Sequence, residues 1–287
     1  MITIASCLSL PEPDFDEAPL LEALAAAGVE AQVAAWDDPS VDWSRAGVVV
    51  IRSTWNYHQN LKAFLAWADT VSSVTTLLND ADVVRWNSHK GYLLELEKAG
   101  VAITPTEILP RGAKATLAGI MRSRQWADVV IKPAVSGGSY RTLRSQGQAD
   151  GEAHLRDLLR DSDVLVQAYL PSVEARGERS MIFIDGQLTH AVRKSPRFQD
   201  DDEETIAVKP TAMESQFAKD VISGCPFPNE KLVYARVDLA PLVDGSLAVM
   251  ELELVEPSLF LTWGAHNTPE SAAGLARLVA RLQRELR

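Results

Sequence analysis

The 287-residue chain has only two cysteines, Cys7 and Cys225, and they are far apart in the sequence. Disulfide frameworks and cysteine-based metal sites need several closely spaced thiols, so both are excluded. No apolar run approaches the roughly 20 residues that a transmembrane helix needs. The first residues also lack a basic segment ahead of their apolar positions, so we expect no signal peptide. These absences predict a cytoplasmic protein with free thiols.

Basic residues are scarce, because 28 Lys and Arg stand against 39 Asp and Glu and give a net charge of −11. This balance argues against nucleic acid or an anionic membrane as the main partner. A local cluster of Lys and Arg is still able to bind a small anion. We therefore expect a small-molecule substrate.

Strand and helix patterns alternate over the first 85 residues. Strand patterns cover residues 2–7, 29–35 and 47–51, and helix patterns cover 19–27 and 61–71. This order predicts a parallel α/β domain at residues 1–85. Ligands of such sheets bind at the carboxyl ends of the strands. The candidate substrate contacts are therefore the residues that follow the third strand, namely Arg52, Ser53, Thr54 and Trp55.

Structural roles are an alternative for these four residues. Arg52 would then pair with a structural carboxylate, and Trp55 would pack between domains. Tyr57 and Trp263 are further loop aromatics with the same two interpretations.

The remaining chain predicts two more units. Residues 86–168 read as a small central α+β unit and residues 169–287 as a larger antiparallel unit with a terminal helix. Asp185-Gly186 between two apolar strands predicts a hairpin. The expected fold class is α/β (α+β), with the parallel domain first.

Lys132 lies at the end of a predicted strand, and the loop Ser136-Gly137-Gly138-Ser139 follows shortly after it. Glycines let backbone N–H groups converge on an anion, and a lysine adds positive charge. The alternative is an ordinary hairpin turn. The loop is not a P-loop, because its lysine precedes the glycines.

Two acidic strands lie near the end of the chain. Arg236 and Asp238 share one face of the first strand, and Glu251 and Glu253 share one face of the second. If the two faces coincide, three carboxylates and one guanidinium meet. Clustered carboxylates suit Mg²⁺ that is also bound by substrate phosphates. The alternative is a solvent-facing polar side of the hairpin.

The order of these motifs resembles the ATP-grasp superfamily, which includes D-alanine–D-alanine ligases and glutathione synthetases. The resemblance implies ATP binding by two lysines, a flap, a hinge and a ribose-contacting glutamate, namely Lys90, Lys132, Ser136, Gly137, Gly138, Ser139, Gln167, Ala168, Tyr169, Leu170 and Glu178. Gln167 departs from the usual glutamate, so adenine contacts are expected from the backbone of residues 168–170.

The resemblance also implies a metal site at Asp238, Glu251 and Glu253. Glu253 is a departure, because asparagine is usual there. The additional carboxylate is compatible with Mg²⁺ and with a shift of preference toward Mn²⁺.

Three basic residues complete the implied catalytic set. Arg193 and Lys209 resemble residues that approach the γ-phosphate, and Arg236 resembles the arginine at the reacting centre.

Within the superfamily, the segments at residues 52–55 and 251–260 look most like the branch of the D-cycloserine-forming O-ureidoserine cyclo-ligase. The expected activity is an ATP- and Mg²⁺-dependent ligase that forms a C–N bond through a phosphorylated intermediate. Alternatives are a dipeptide or amide ligase and a non-catalytic nucleotide-binding protein. A homodimer is one expected assembly. An α/β oxidoreductase is excluded, because no GxGxxG turn follows the first strand.

Overall fold

The computed structural model describes residues 1–195, 204–262 and 264–287, so Trp263 lies outside the described residues. The chain begins with a four-stranded parallel sheet in the order β2-β1-β3-β4. Its strands are β1 (Ile2–Ser6), β2 (Ala31–Ala35), β3 (Val48–Ser53) and β4 (Leu77–Leu78), and its helices are α1 (Glu17–Ala26) and α2 (Leu61–Val74). Every residue of β1 and β3 is buried, as their apolar runs predict.

Two short helices, α3 (Ala81–Asn87) and α4 (Tyr92–Lys98), lead into a second sheet. This antiparallel sheet has the order β5-β8-β6-β7. Its elements are β5 (Thr106–Leu109), α5 (Leu117–Arg124), β6 (Val129–Pro133), β7 (Leu143–Ser145), α6 (Ala149–Asp161) and β8 (Val164–Ala168). Helix α6 buries Leu155, Leu158 and Leu159 against the sheet, which gives this unit a core of its own.

The third sheet is antiparallel, in the order β11-β10-β9-β12-β13. Its part of the chain contains α7 (Ser172–Arg176), β9 (Glu178–Ile184), β10 (Gln187–Lys194), β11 (Thr205–Val208), α8 (Ala212–Ser223), β12 (Tyr234–Pro241), β13 (Leu247–Glu253) and α9 (Pro269–Arg284). Asp185 and Gly186 both have positive φ, as a tight hairpin turn requires, so the predicted hairpin is confirmed.

The first and third sheets share a core. Ile2 and Ile4 of β1 belong to the same buried cluster as Ile182 of β9 and Leu278 of α9. Asn79 links the first sheet to the third, because its side-chain Nδ2 donates hydrogen bonds to the carbonyls of Tyr234 (2.9 Å) and Leu254 (2.6 Å). Breaking this junction would expose apolar surface and orphan buried carbonyls. The parallel sheet is therefore held firmly against the antiparallel one.

Helix α4 packs with the third sheet, since Leu93 and Leu96 share a core with Met181 and Val237. The second sheet contacts the third through Leu165 of β8, which belongs to the same buried cluster, and through the Thr104 N–H, which donates to the Val249 carbonyl (2.8 Å). Lys132 of β6 and Glu251 of β13 face each other between the two antiparallel sheets, with Nζ and Oε2 3.9 Å apart. Among the described helices, none is both long and apolar enough to cross a membrane. The predicted α/β (α+β) fold class is confirmed.

Candidate active site

The acidic and basic side chains of β12 and β13 lie on one face. Asp238 is paired in register with Glu251, and Arg236 with Glu253. Cross-strand partners in an antiparallel pair point to the same side of the sheet. The two faces therefore coincide, and the solvent-facing alternative is excluded for Arg236 and Asp238, which are buried.

Arg236 holds two of these carboxylates together. Its Nε and Nη2 donate to Asp238 at 3.0 and 2.9 Å, and Nη2 also donates to Glu253. Burial opposes ionisation of Arg236, but Asp238 and Glu253 outweigh it and hold the pKa well above its usual value. The guanidinium is thus a permanently charged group at the floor of the site.

Strand alternation decides which basic residue of β10 reaches the site. Lys194 is in register with Glu178, and its Nζ lies 2.5 Å from Glu178 and 2.8 Å from Asp238. Arg193 is in register with Arg179, which pairs with Glu214 of α8 on the opposite face. This corrects the sequence interpretation, because Lys194 and not Arg193 reaches the carboxylates.

Lys209 is also not brought into the cluster. It is exposed and follows β11 at the end where Val208 pairs with Ala191. The end of β11 nearest the site is Thr205, which pairs with Lys194. Four residues of extended chain separate the two positions, so the predicted γ-phosphate role of Lys209 has no support from this geometry.

The two predicted phosphate-binding lysines meet at one carboxylate. Lys90 Nζ lies 2.8 Å from Glu251 Oε1, and Lys132 Nζ lies 3.9 Å from Glu251 Oε2. Burial opposes ionisation of Glu251, yet the two lysines lower its pKa to about 2. Burial lowers the pKa of Lys132, and Lys90 lowers it further. Two buried ammonium groups that share one carboxylate leave positive charge available for an anion.

The predicted flap begins directly above these lysines. Ser136 is buried, and its carbonyl accepts a hydrogen bond from Lys90 Nζ at 2.7 Å. Gly138 and Ser139 have φ of +54° and +60°, a conformation that turns successive N–H groups toward one side. A Cβ on Gly137 would lie 4.0 Å from His58 Nδ1, and the next aromatic residue, Tyr140, packs against the His58 ring with centroids 4.7 Å apart. The flap therefore reaches the first domain.

The predicted adenine hinge is partly engaged in backbone bonds. Gln167 is buried and donates to Thr106 Oγ1 at 2.9 Å. The N–H groups of Ala168 and Tyr169 donate to the Pro105 and Asp128 carbonyls, both at 2.9 Å. Among the described residues, no acceptor lies opposite the Leu170 N–H. Of the predicted hinge donors, this N–H is the one available to an adenine ring.

Glu256 is a site residue that the sequence interpretation did not select. A Cβ on Gly137 would lie 3.9 Å from its Oε1, so its carboxyl faces the flap. Burial, and then the charge of Glu253, raise the pKa of Glu256 to about 8. Its position three residues beyond Glu253, just before Pro257, was the available signal.

Arg52 and Ser53 are the last residues of β3 and not part of the loop after it, and with Thr54 and Trp55 of that loop they make mainly structural contacts. Arg52 is 2% exposed, and its Nη2 lies 3.4 Å from Asp16 and 2.6 Å from the Pro257 carbonyl. Ser53 and Thr54 are fully buried, and Trp55 Nε1 donates to the Glu256 carbonyl at 3.0 Å. These contacts fit the structural alternative, in which the loop positions residues 256–261. Tyr57 likewise packs in the aromatic core.

We expect Arg52→Met to lower the free energy of unfolding by about 3–5 kcal/mol, because it leaves the buried Asp16 carboxylate without its cation. Urea unfolding followed by tryptophan fluorescence measures this, with Arg45→Met on the exposed surface of the same domain as the control. An unchanged stability with a raised KM for the small substrate would instead support direct contact between Arg52 and the substrate.

Glu251 and Glu253 are suited to hold a divalent cation. Their side chains are 27% and 24% exposed, whereas Asp238 is 1% exposed and holds Arg236 and Lys194. Within the described part of the chain, no three acidic, His or Cys side chains are arranged to hold a metal by themselves. Mg²⁺ commonly uses one or two carboxylates and completes its shell with phosphate oxygens and water. The two glutamates fit this pattern.

Comparison with known proteins agrees with the fold. Residues 2–79 match the family model of the N-terminal domain of the D-cycloserine synthetase DcsG. The chain is 35% identical to the cycloserine biosynthesis protein DcsG of Streptomyces lavendulae, over 95% of this chain and 96% of that protein. It matches the crystal structure of D-cycloserine synthetase DcsG with a TM-score of 0.88 and 32% identity, over 100% of this chain and 99% of that one.

A D-alanine–D-alanine ligase of Bacillus anthracis, solved with ATP, shares the fold with a TM-score of 0.71 at 13% identity, over 99% of this chain and 96% of that one. The full-length match at 35% identity decides the family. The protein belongs to the DcsG family of ATP-grasp enzymes and is an ATP-dependent ligase.

Proposed function

We propose that the enzyme closes the ring of D-cycloserine from O-ureidoserine, with ATP as the phosphoryl donor. The observation that carries the phosphoryl-transfer part is the pair of buried lysines, Lys90 and Lys132, that share Glu251 beneath the flap. The similarity to the Streptomyces lavendulae protein over nearly the whole chain supports the choice of substrate.

ATP would lie between the two antiparallel sheets, where Lys132 faces Glu251. Lys90, Lys132 and the N–H groups of residues 136–139 would hold its phosphates, Glu178 its ribose and the Leu170 N–H its adenine. Lys132 is 14% exposed, so a ligand is able to reach it although it is largely shielded from bulk water. Electrostatic contacts are strong in such an environment.

Glu251 and Glu253 would hold Mg²⁺, with Mn²⁺ as an alternative ion, and Asp238 would position Arg236 and Lys194. The four ion-paired carboxylates of the site are matched in number by its cations, namely Glu178, Asp238, Glu251 and Glu253 against Lys90, Lys132, Lys194 and Arg236. Adding the negative charge of ATP therefore requires further positive charge. A bound divalent cation supplies that charge and polarises the phosphate oxygens.

The protein groups act mainly by position and charge. The substrate carboxylate attacks the γ-phosphorus, and ADP departs as an acyl phosphate forms. Lys132, Lys90 and Arg236 stabilise the charge on the transferred group. The ureido nitrogen bonded to oxygen then attacks the carbonyl carbon, and its proton and inorganic phosphate leave. Hydrolysis of the carbamoyl group that remains on this nitrogen releases carbon dioxide and ammonia and gives D-cycloserine. No protein nucleophile is needed.

The direct test measures ADP release by the purified enzyme with Mg·ATP and either O-ureidoserine or D-alanine. We expect release with O-ureidoserine, together with formation of the isoxazolidinone ring detected by mass spectrometry. Release with D-alanine alone, and formation of a dipeptide, would establish the dipeptide-ligase alternative. Failure of both substrates would overturn the proposed substrate class.

The proposal assigns the units distinct tasks. Residues 1–85 would supply one wall of the substrate pocket, residues 86–168 the flap, and residues 169–287 the metal and catalytic groups. A homodimer stays a prediction, and sedimentation velocity would decide it.

A further inference from the structure

We propose that Glu256 is the catalytic base that takes the proton from the attacking nitrogen as the C–N bond forms. The inference rests on the proposed function, because it assigns the second half of that reaction to a residue. No predicted role covers Glu256, and the phosphoryl-transfer half does not need it.

Glu256 differs from the other carboxylates of the site in its partners. Asp238 and Glu178 pair with Lys194, Glu251 pairs with Lys90, and Glu253 pairs with Arg236. Among the described residues, no Lys or Arg lies within ion-pair distance of the Glu256 carboxyl. A carboxylate without a cation keeps its lone pairs available and is a stronger base.

Glu256 lies beside the flap that begins at the two lysines. Its Oε1 would lie 3.9 Å from a Cβ on Gly137, beside Ser136, whose carbonyl accepts from Lys90. The carboxyl thus lies between the flap over the phosphates and the loop after β3. With the acyl phosphate held beneath the flap, the attacking nitrogen would lie within reach of this carboxyl.

The backbone at Glu256 is fixed on both sides. Its own carbonyl accepts from Trp55 Nε1 at 3.0 Å, and the Pro257 carbonyl accepts from Arg52 at 2.6 Å. Fixed geometry is what proton transfer in a transition state requires. The raised pKa of Glu256 is consistent with the role, because a base works best when its pKa lies near the working pH.

The ring-closing step balances without another reactant, and the carbamoyl group stays on the ring nitrogen until water removes it in a later step. The nitrogen lone pair forms the C–N bond, the C–O bond to phosphate breaks, and phosphate leaves with that electron pair. The N–H proton passes to the Glu256 carboxylate, which later releases it to water.

The test is Glu256→Gln, which keeps the shape of the side chain and removes its basicity. We expect ring closure to fall at least about a hundredfold. The first half-reaction should persist, as shown by positional isotope exchange of ¹⁸O in ATP in the presence of O-ureidoserine. Added hydroxylamine, a nucleophile that needs no base, should still trap the acyl phosphate as a hydroxamate at the wild-type rate. Glu97→Gln, on the exposed face of α4, is the matched control.

Two outcomes overturn the proposal. Wild-type ring closure in Glu256→Gln would show that the proton goes elsewhere. Loss of isotope exchange together with ring closure would place Glu256 in phosphoryl transfer or metal binding. Absence of both exchange and ADP release in the wild-type enzyme would instead refute the proposed function itself.

Discussion

Lys132→Met is expected to reduce ATP turnover about a thousandfold, because it removes a charge that stabilises the transferred phosphoryl group. Methionine retains the apolar stem of the side chain and occupies a similar volume. The Lys132 side chain is only 14% exposed, so the fold should tolerate this change better than a truncation to alanine. Single-turnover ADP formation separates the chemical step from ATP binding, and calorimetry measures the affinity for a non-hydrolysable ATP analogue.

The control for this prediction is Lys114→Met, which removes an exposed lysine of the same unit. Equal thermal stability of the two variants would show that the loss is chemical. If Lys132→Met turned over ATP at the wild-type rate, the phosphate site beneath the flap would be wrongly placed. A loss of stability alone would assign Lys132 to the packing of β6.

Period-two patterns in the sequence predicted the acidic face well. Alternation fixes which side a strand residue faces, and the turn at residues 244–245 fixes which strands are neighbours. The observed pairing also depends on the irregularity between Asp238 and Leu239, which shifts the register by one residue and places Asp238 opposite Glu251. The sequence therefore predicts which residues share a face of each strand, but not that the two faces coincide.

Alternation also separates Arg193 from Lys194 in β10. Adjacent residues of a strand point to opposite faces, so only one of Arg193 and Lys194 can reach the carboxylates. Which one does depends on the register with β9, where Lys194 pairs with Glu178. Without that register, the sequence does not show whether Arg193 or Lys194 faces the carboxylates.

Helix α8 was missed for a local reason. Thr211 and Glu214 form a reciprocal capping box at its start, a signal that the sequence displays. The sequence interpretation instead assigned residues 169–287 to an antiparallel unit whose one predicted helix was the terminal one. In contrast, the burial of Arg52 could not be predicted, because its partners are Asp16 and Pro257, the latter 205 residues away in the chain.

Glu256 was missed because its importance depends on pairing. Five acidic residues of the site look alike in the sequence, and four of them obtain a cation from another strand or helix. Only the structure shows that, among the described residues, Glu256 is the carboxyl of the site that has no Lys or Arg partner. Residue type and spacing therefore locate an acidic site, whereas the distribution of counterions assigns its members to metal, structure or chemistry.

The same distinction predicts different behaviour for two carboxylates that the sequence assigned alike to the metal. Glu251→Gln should reduce turnover about a thousandfold, with partial recovery at high Mg²⁺ or Mn²⁺, because it removes one anionic ligand and leaves Glu253. Asp238→Asn should cause a similar loss without recovery, because Asp238 holds Arg236 at 2.9 Å and Lys194 at 2.8 Å. An amide holds two cations poorly, so both would move from their positions.

Metal titrations of turnover separate the two effects, and electron paramagnetic resonance of Mn²⁺ with ADP reports binding without turnover. We expect weaker Mn²⁺ binding in Glu251→Gln and nearly unchanged binding in Asp238→Asn. Glu97→Gln again serves as the control. If Asp238→Asn lost Mn²⁺ affinity and recovered at high metal concentration, Asp238 would be a direct ligand and its ion pairs would have to open when the metal binds. If neither variant changed the affinity, the metal would be held by phosphates alone, and the acidic face of β12 and β13 would serve to position the cations.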